Sequence, residues 1–377
     1  MFAALLLSAL AAPPDAVGSA PPDGIFPGDR LNAVPVWTRV ADFHPRLRSV
    51  EAAEIAPDGR TVVSAAKFGA GVMCFRVADG ALLWESAHDS EVECVAWSPD
   101  GARVATGGED YMVRVWDAKT GRQLRAVELN AGPDGLAWSG DGTTVAAGLE
   151  SGEVVLLDAG TWAERGRLPG GSTVNSLQFW PGPGGEPDRY LAVAGNVQTP
   201  APGGGTSYAG FACRYDLARP GVRAGGEPDW TFEDPAGSLK SVRVRPGGGE
   251  PAAECAVAGF NGAVVVLDWD TGTELHRPSG AAKYEAVAYT PSGGFLLAGG
   301  HAPEIEVWRT DTYARTPDAL PVPRTEYLHF SADGRLLLTA HEDTGLIKLF
   351  LRDADLQRRG DTYQIEAAKQ LKNRDLQ

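Results

Sequence analysis

The sequence predicts an all-β fold of seven small, similar sheets closed into a ring, and three observations predict it. The first is an internal repeat: an apolar strand, a Pro/Asp/Gly turn, a strand of apolar and small residues, a second turn, and a strand ending on a large residue. That last residue falls at Phe75, Trp116, Leu157, Tyr215, Leu267, Trp308 and Phe350, with gaps of 41, 41, 58, 52, 41 and 42 residues. The second is the turn after the first strand, which marks the same period independently as Pro57-Asp58-Gly59, Pro99-Asp100-Gly101, Gly140-Asp141-Gly142, Pro246-Gly247-Gly248, Pro291-Ser292-Gly293 and Ala332-Asp333-Gly334. The third is composition: 47 Gly and 27 Pro in 377 residues call for many turns, and 43% hydrophobic residues can build a core. Four short strands cannot bury both faces alone, so the sheets must stack around an axis until the first meets the last. The expected architecture is a seven-bladed β-propeller with four antiparallel strands per blade.

Repeat two shows the elements in order. Val92 to Trp97 is strand a, Ser98-Pro99-Asp100-Gly101 the turn, Val104 to Gly107 strand b, Glu109 to Tyr111 the next turn, Val113 to Asp117 strand c and Gln123 to Glu128 strand d. This run, down to Trp116-Asp117, resembles the WD-repeat family. After strand c of blade seven, Leu346 to Arg352, the chain turns polar, whereas Val34 to Val40 has strand character and the phase of a strand d leading into blade one. The resemblance therefore implies that this N-terminal strand completes blade seven and latches the ring. It also implies a hydrogen-bonded network that stiffens a blade, and His88, Thr106, Asp110 and Trp116 make up the one full set. The position of Asp110 becomes Ser151, Asn261 and Ala302 in blades three, five and six, so those blades are expected to rely on apolar packing.

Aligning strand a across the blades gives the column Glu51, Glu93, Asp134, Asn175, Lys240, Glu285 and Glu326, acidic in five of seven places. By resemblance to WD-repeat proteins such as the G-protein β subunit, this position lies at the top-face mouth of the central channel, where partners bind. A ring of like charges opposes itself and calls for a cationic counterpart. A Lys/Arg-rich protein segment fits better than Ca²⁺, which needs six to eight close oxygens. Glu51, Glu93, Asp134, Glu285 and Glu326 are thus the candidate partner-binding residues. Phe68, Tyr111 and Phe260, in neighbouring turns, are the candidate aromatic anchors.

The remaining features bound the function. A net charge of −15 lacks the basic footprint that nucleic acid or anionic lipid requires. Cys74, Cys94, Cys213 and Cys255 lie in apolar strand-like runs without CxxC spacing and read as buried free thiols. His301 and His341 sit near Glu304, Glu342 and Asp343 but match no metal motif, so no metal or other cofactor is assigned. No P-loop, GxSxG elbow, HExxH or CxxCH motif is present, and no catalytic residue is assigned. The expected role is a non-catalytic interaction scaffold, monomeric on its own and not inserted in a membrane. The alternative is an enzyme or ligand-binding propeller of the lactonase or quinoprotein kind using the channel-mouth carboxylates. Residues 34–354 are assigned to the propeller, 1–20 to a signal-like segment, 21–33 to a flexible linker and 355–377 to a tail with a short helix. Phe2 to Ala12 is apolar but has no Lys or Arg before it, so cytoplasmic residence and export both stay open. The insertions Asn196 to Gly210, Pro181 to Pro187 and Ala218 to Pro228 read as flexible filler.

Overall fold

A computed structural model describes residues 37–43, 49–67, 71–78, 80–200, 204–247, 254–278, 283–317, 319–341, 344 and 346–352. The signal-like segment, the linker, the tail helix and Phe68 lie outside them. The chain forms seven four-stranded antiparallel sheets, each ordered a-b-c-d from the axis outward, with almost no helix among the described residues. Blade two follows the expected boundaries closely, at Val92–Trp97, Arg103–Gly108, Met112–Asp117 and Gln123–Glu128.

The inner strands are apolar on both faces because each blade is sandwiched between two others. In strand c of blade three, Val155 and Leu157 pack toward blade two while Val154 and Leu156 pack toward blade four. This is the period-two alternation of a strand, with both faces dry. The core is accordingly seven clusters, one at each junction between blades, including the closing junction of blade seven with blade one around Ile55, Val62, Leu338 and Leu349. The four cysteines are buried free thiols in these layers.

Ring closure uses the N-terminal strand as expected, which runs on to Phe43, three residues past the expected Val40. Trp37–Phe43 pairs antiparallel with Leu346–Arg352, from Trp37 against Arg352 to Phe43 against Ile347. Blade seven thus takes its outer strand from the start of the chain. The a-to-b turns are held by their own side chains. Ser98 Oγ donates to Asp100 at 2.5 Å, Asp100 accepts the Ala102 amide at 3.0 Å, and Gly101 takes φ +67°, where an L side chain is strained. Blades three and seven repeat the device with Ser139/Asp141 and Ser331/Asp333.

The described parts of the insertions are structured, which corrects their reading as filler. Tyr190–Pro200 and Thr206–Asp216 form an eleven-residue ribbon paired out to Pro200 and Thr206, well past the outer strand of blade four, Trp230–Asp234. The segment after Asp216 folds back on blade three: Val222 is buried, Arg223 accepts the Arg167 amide through its carbonyl at 3.1 Å, and Ala224 bridges to Arg167. Pro183–Gly185 is a single 3₁₀ turn. Pro and Gly hid the strand alternation in the ribbon because neither contributes a patterned side chain.

Candidate functional site at the channel mouth

Strand a is innermost, and its side chains decide what the channel offers. In blades two to six, the pairing of strand a with strand b skips one residue: Glu93, Asp134, Asn175, Lys240 or Glu285. In blades one and seven, Glu51 and Glu326 donate their amides to the carbonyls of Ala65 and Ala340, which already face Ala52 and Tyr327. Two residues opposite one is a β-bulge, which bends the strand and re-aims the extra side chain. The aligned column is therefore a column of bulges, and all seven members line one cavity of about 370 Å³. The close approach that makes room for the bulge needs glycine on strand b: a Cβ on Gly108 or Gly195 would stand 2.0 or 1.9 Å from a carbonyl oxygen of the strand a entry.

The charges divide into two walls, where the sequence suggested one lopsided acidic ring. Over blades one to three stand Glu51, Glu93, Glu109, Asp134 and Glu150. Burial, and then the Glu51 charge, push the Glu93 carboxyl up to about 8. Burial, and then Glu150, raise Asp134 to about 6. Neither makes a hydrogen bond or ion pair with a described residue; the charge of Lys67, 3.9 Å from Glu51, moderates both carboxylates, and that of Lys240 moderates Asp134. Across the mouth, Arg324 pairs with Glu326 at 2.7 Å and with Glu285 at 3.4 Å, and His301 Nε2 meets Glu285 at 2.9 Å. These two candidate carboxylates are thus engaged within the chain. Arg324 and Arg243 thus line the mouth beside the carboxylates, and His301 joins them through Glu285. Glu91, Glu93 and Glu109 bring oxygens within 4.8 Å of one another, fewer than a Ca²⁺ shell needs.

Two of the aromatic candidates are placed. Phe260 lines the cavity, flanked by the ammonium groups of Lys240 and Lys283 at 5.4 and 5.0 Å from its ring centre and met edge-on by His301. Tyr111 is 49% exposed on the b-to-c turn and holds φ +63°, at the place where blades three and five use Gly152 and Gly262.

Beneath the mouth is a polar layer that the sequence reading missed. Strand a has no neighbour on its axial side, so its outward amides need acceptors. Side chains from the preceding blade supply them: His329 Nδ1 accepts from Ile55 at 3.2 Å, Glu54 from Trp97 at 3.2 Å and Gln178 from Val244 at 2.7 Å. Glu54 also accepts the Tyr327 hydroxyl at 3.0 Å, and burial lifts its carboxyl to about 7. Burial, with the nearby Arg243 charge, drives His329 down to about 3, so it stays a neutral acceptor. The signal was available, since the column three residues on reads Glu54, Ala96, Ala137, Gln178, Arg243, Ala288 and His329, polar in four of seven places.

Away from the mouth, the four residues expected as a network in blade two are joined. His88 reaches Asp110 at 3.1 Å and Thr106 at 2.7 Å, and the Trp116 indole donates to Thr106 at 2.7 Å. Burial lowers the His88 pKa, keeping the ring neutral. Burial would raise Asp110, but hydrogen bonds from Arg114 and His88 outweigh it and hold the carboxyl below its usual range. The expectation that the other blades rely on apolar packing is corrected for blades five, six and seven. In blade five Asn261 and Arg277 hold buried Asp234 at 2.8 and 2.7 Å; in blade six Tyr284 and Arg315 hold buried Glu306; in blade seven Thr339 and the Arg324 carbonyl hold His341. These use residue types other than the His/Thr/Asp/Trp set, so a motif comparison passes over them. His341 is thereby committed to the fold while His301 faces Glu285.

Residues 81–117, which carry that network, match the family model described as WD domain, G-beta repeat. Among curated proteins, the chain is 33% identical over 91 residues to an intraflagellar transport protein 122 homolog of Xenopus tropicalis, covering 24% of this chain and 8% of the relative. It is 51% identical over 43 residues to the ribosome biogenesis protein ERB1 of Chaetomium thermophilum, 11% of this chain and 5% of the relative. It is 30% identical over 115 residues to the protein groucho of Drosophila melanogaster, 28% of this chain and 16% of the relative. Each match spans well under two thirds of the relative's length. Among the described residues, no helix is long and apolar enough to cross a membrane.

Proposed function

We propose that this seven-bladed propeller, similar in blade two to WD-repeat proteins, which in general mediate protein–protein contact, is a non-catalytic platform that receives a cationic side chain of a partner segment between Glu51, Glu93 and Asp134. The observation that carries this reading is the state of Glu93 and Asp134: half-buried in the cavity, unpaired, and raised to about 8 and about 6. A carboxylate in that state gains most from an incoming positive charge, because the field of its neighbours falls as the charge is neutralised. Glu285 and Glu326, already bound to Arg324, shape the opposite rim.

The test compares two pools of labelled, acetylated and amidated octapeptides, randomised over uncharged residues, with either an Arg or a Gln at one fixed position. The wild type should retain the Arg pool in preference, and the triple variant E51Q/E93Q/D134N should not. Binding should also release protons, so retention should rise about tenfold between pH 7 and pH 9 as Glu93 ionises, given about a tenfold change per unit below its pKa. Equal retention of the two pools by the wild type sinks the proposal.

A further inference from the structure

We propose that the mouth also holds an anion, a carboxylate side chain of the same partner segment, on Lys240 and Lys283, so that its occupant carries charges of both signs. This rests on the preceding reading and adds a second, opposite contact to it. Lys240 projects from the bulge of blade five and Lys283 from the entry to blade six, yet both place their ammonium groups against the one ring of Phe260. Neither makes an ion pair with a described residue. Two ammonium groups, each within 5.4 Å of one ring centre, repel each other, and an anion beside them relieves both. The ring face holds each ammonium by its quadrupole without neutralising it.

The surroundings fix this geometry. His301 packs T-shaped with Phe260, ring centres 5.6 Å apart, and is itself anchored on Glu285 at 2.9 Å, so the aromatic platform is braced from the blade six side. Across the cavity stand Glu93 and Asp134; the Lys240 charge reaches Asp134 through space but makes no contact with it. The mouth is thus a dipole, negative over blades one to three and positive where blades five and six meet. A segment bearing only basic residues satisfies one wall and is repelled by the other. A segment with an Arg or Lys and, within a few residues, a Glu or Asp satisfies both, and its polarity sets its direction across the mouth.

The experiment uses the full chain and three octapeptide pools with one fixed Arg, differing in a Glu, a Gln or a second Arg at a position two to four residues away. Pools are compared for retention on wild type, K283Q and K240Q/K283Q, with an Arg-free pool as control; Lys283 is exposed, so its single substitution keeps a folded protein for comparison. The wild type should retain the Arg/Glu pool at least about threefold over the Arg/Gln pool, about 0.65 kcal/mol, and both variants should bring the two to parity. Parity already in the wild type, or a Glu preference that survives both variants, overturns the anion site and leaves the cationic contact standing. Retention of no pool above the Arg-free control overturns both.

Discussion

Replacing Glu93 with Gln should change how stability depends on pH, and the size of the change follows from the site. In the folded chain the Glu93 carboxyl sits at about 8 against an ordinary value of 4.5, with burial as the main cause. A folded-state pKa above the unfolded one means that the folded form holds the proton more tightly. The associated stability is complete below about pH 4.5 and is lost as pH rises through about 8. At about 1.36 kcal/mol per unit the shift amounts to roughly 5 kcal/mol before screening, and solvent at the open mouth reduces it to about 2–3 kcal/mol. With an unfolding entropy of about 2.1 cal/mol/K per residue over roughly 300 ordered residues, that is about 3–5 °C in Tm. The assay is thermal unfolding by circular dichroism at pH 5, 6, 7, 8 and 9. The wild type should lose this amount relative to E93Q across the range, because Gln has no proton to lose. Curves that run parallel would refute the burial argument, and with it the claim that an incoming cation finds a carboxylate in need of neutralisation.

Three further perturbations read other parts of the molecule. Tyr111→Gly should raise stability by about 1 kcal/mol, since an L residue in the left-handed region costs about 1–2 kcal/mol, while weakening retention of Arg-bearing peptides; a destabilised variant would mean that the ring packs rather than waits for a partner. Thr106→Val strands the His88 and Trp116 nitrogens that both use its hydroxyl, at about 1–3 kcal/mol per buried unpaired group, whereas Thr106→Ser should behave as wild type; equal melting of the two variants would contradict the network. Deleting Trp37–Phe43 should abolish the cooperative transition, because blade seven then lacks its outer strand; a truncated chain that melts like the full one would show that the ring closes by other means.

The ring, its blade count and its latch were legible because they depend on spacing and on apolar pattern, both of which survive in one dimension. The strand a column was legible for the same reason: its members share a phase, and the phase turned out to be that of a bulge. What escaped was side-chain reach. Arg324 lies two residues before Glu326 and outside every aligned strand, yet its long side chain spans to Glu285 of the neighbouring blade and takes two carboxylates out of the ring. His301 likewise arrives from a turn. The networks of Asp234, Glu306 and His341 escaped because physics requires only that buried polar groups be satisfied, leaving the choice of residue open.

The latch also sets an order of events. Of the described strands, Trp37–Phe43 is the first to be synthesised and the last to find its place, since its partner Leu346–Arg352 is about three hundred residues downstream. The cost of closing so long a loop comes before any contact rewards it, and such pairings are intrinsically slow. Until then the chain is an open stack whose terminal blades expose the two halves of the cluster containing Ile55, Val62, Leu338 and Leu349. The interval between completing blade seven and seating the first strand is therefore when this protein is most exposed to association with another copy of itself, and a strand exchanged between two open rings would satisfy every pairing that one closed ring does.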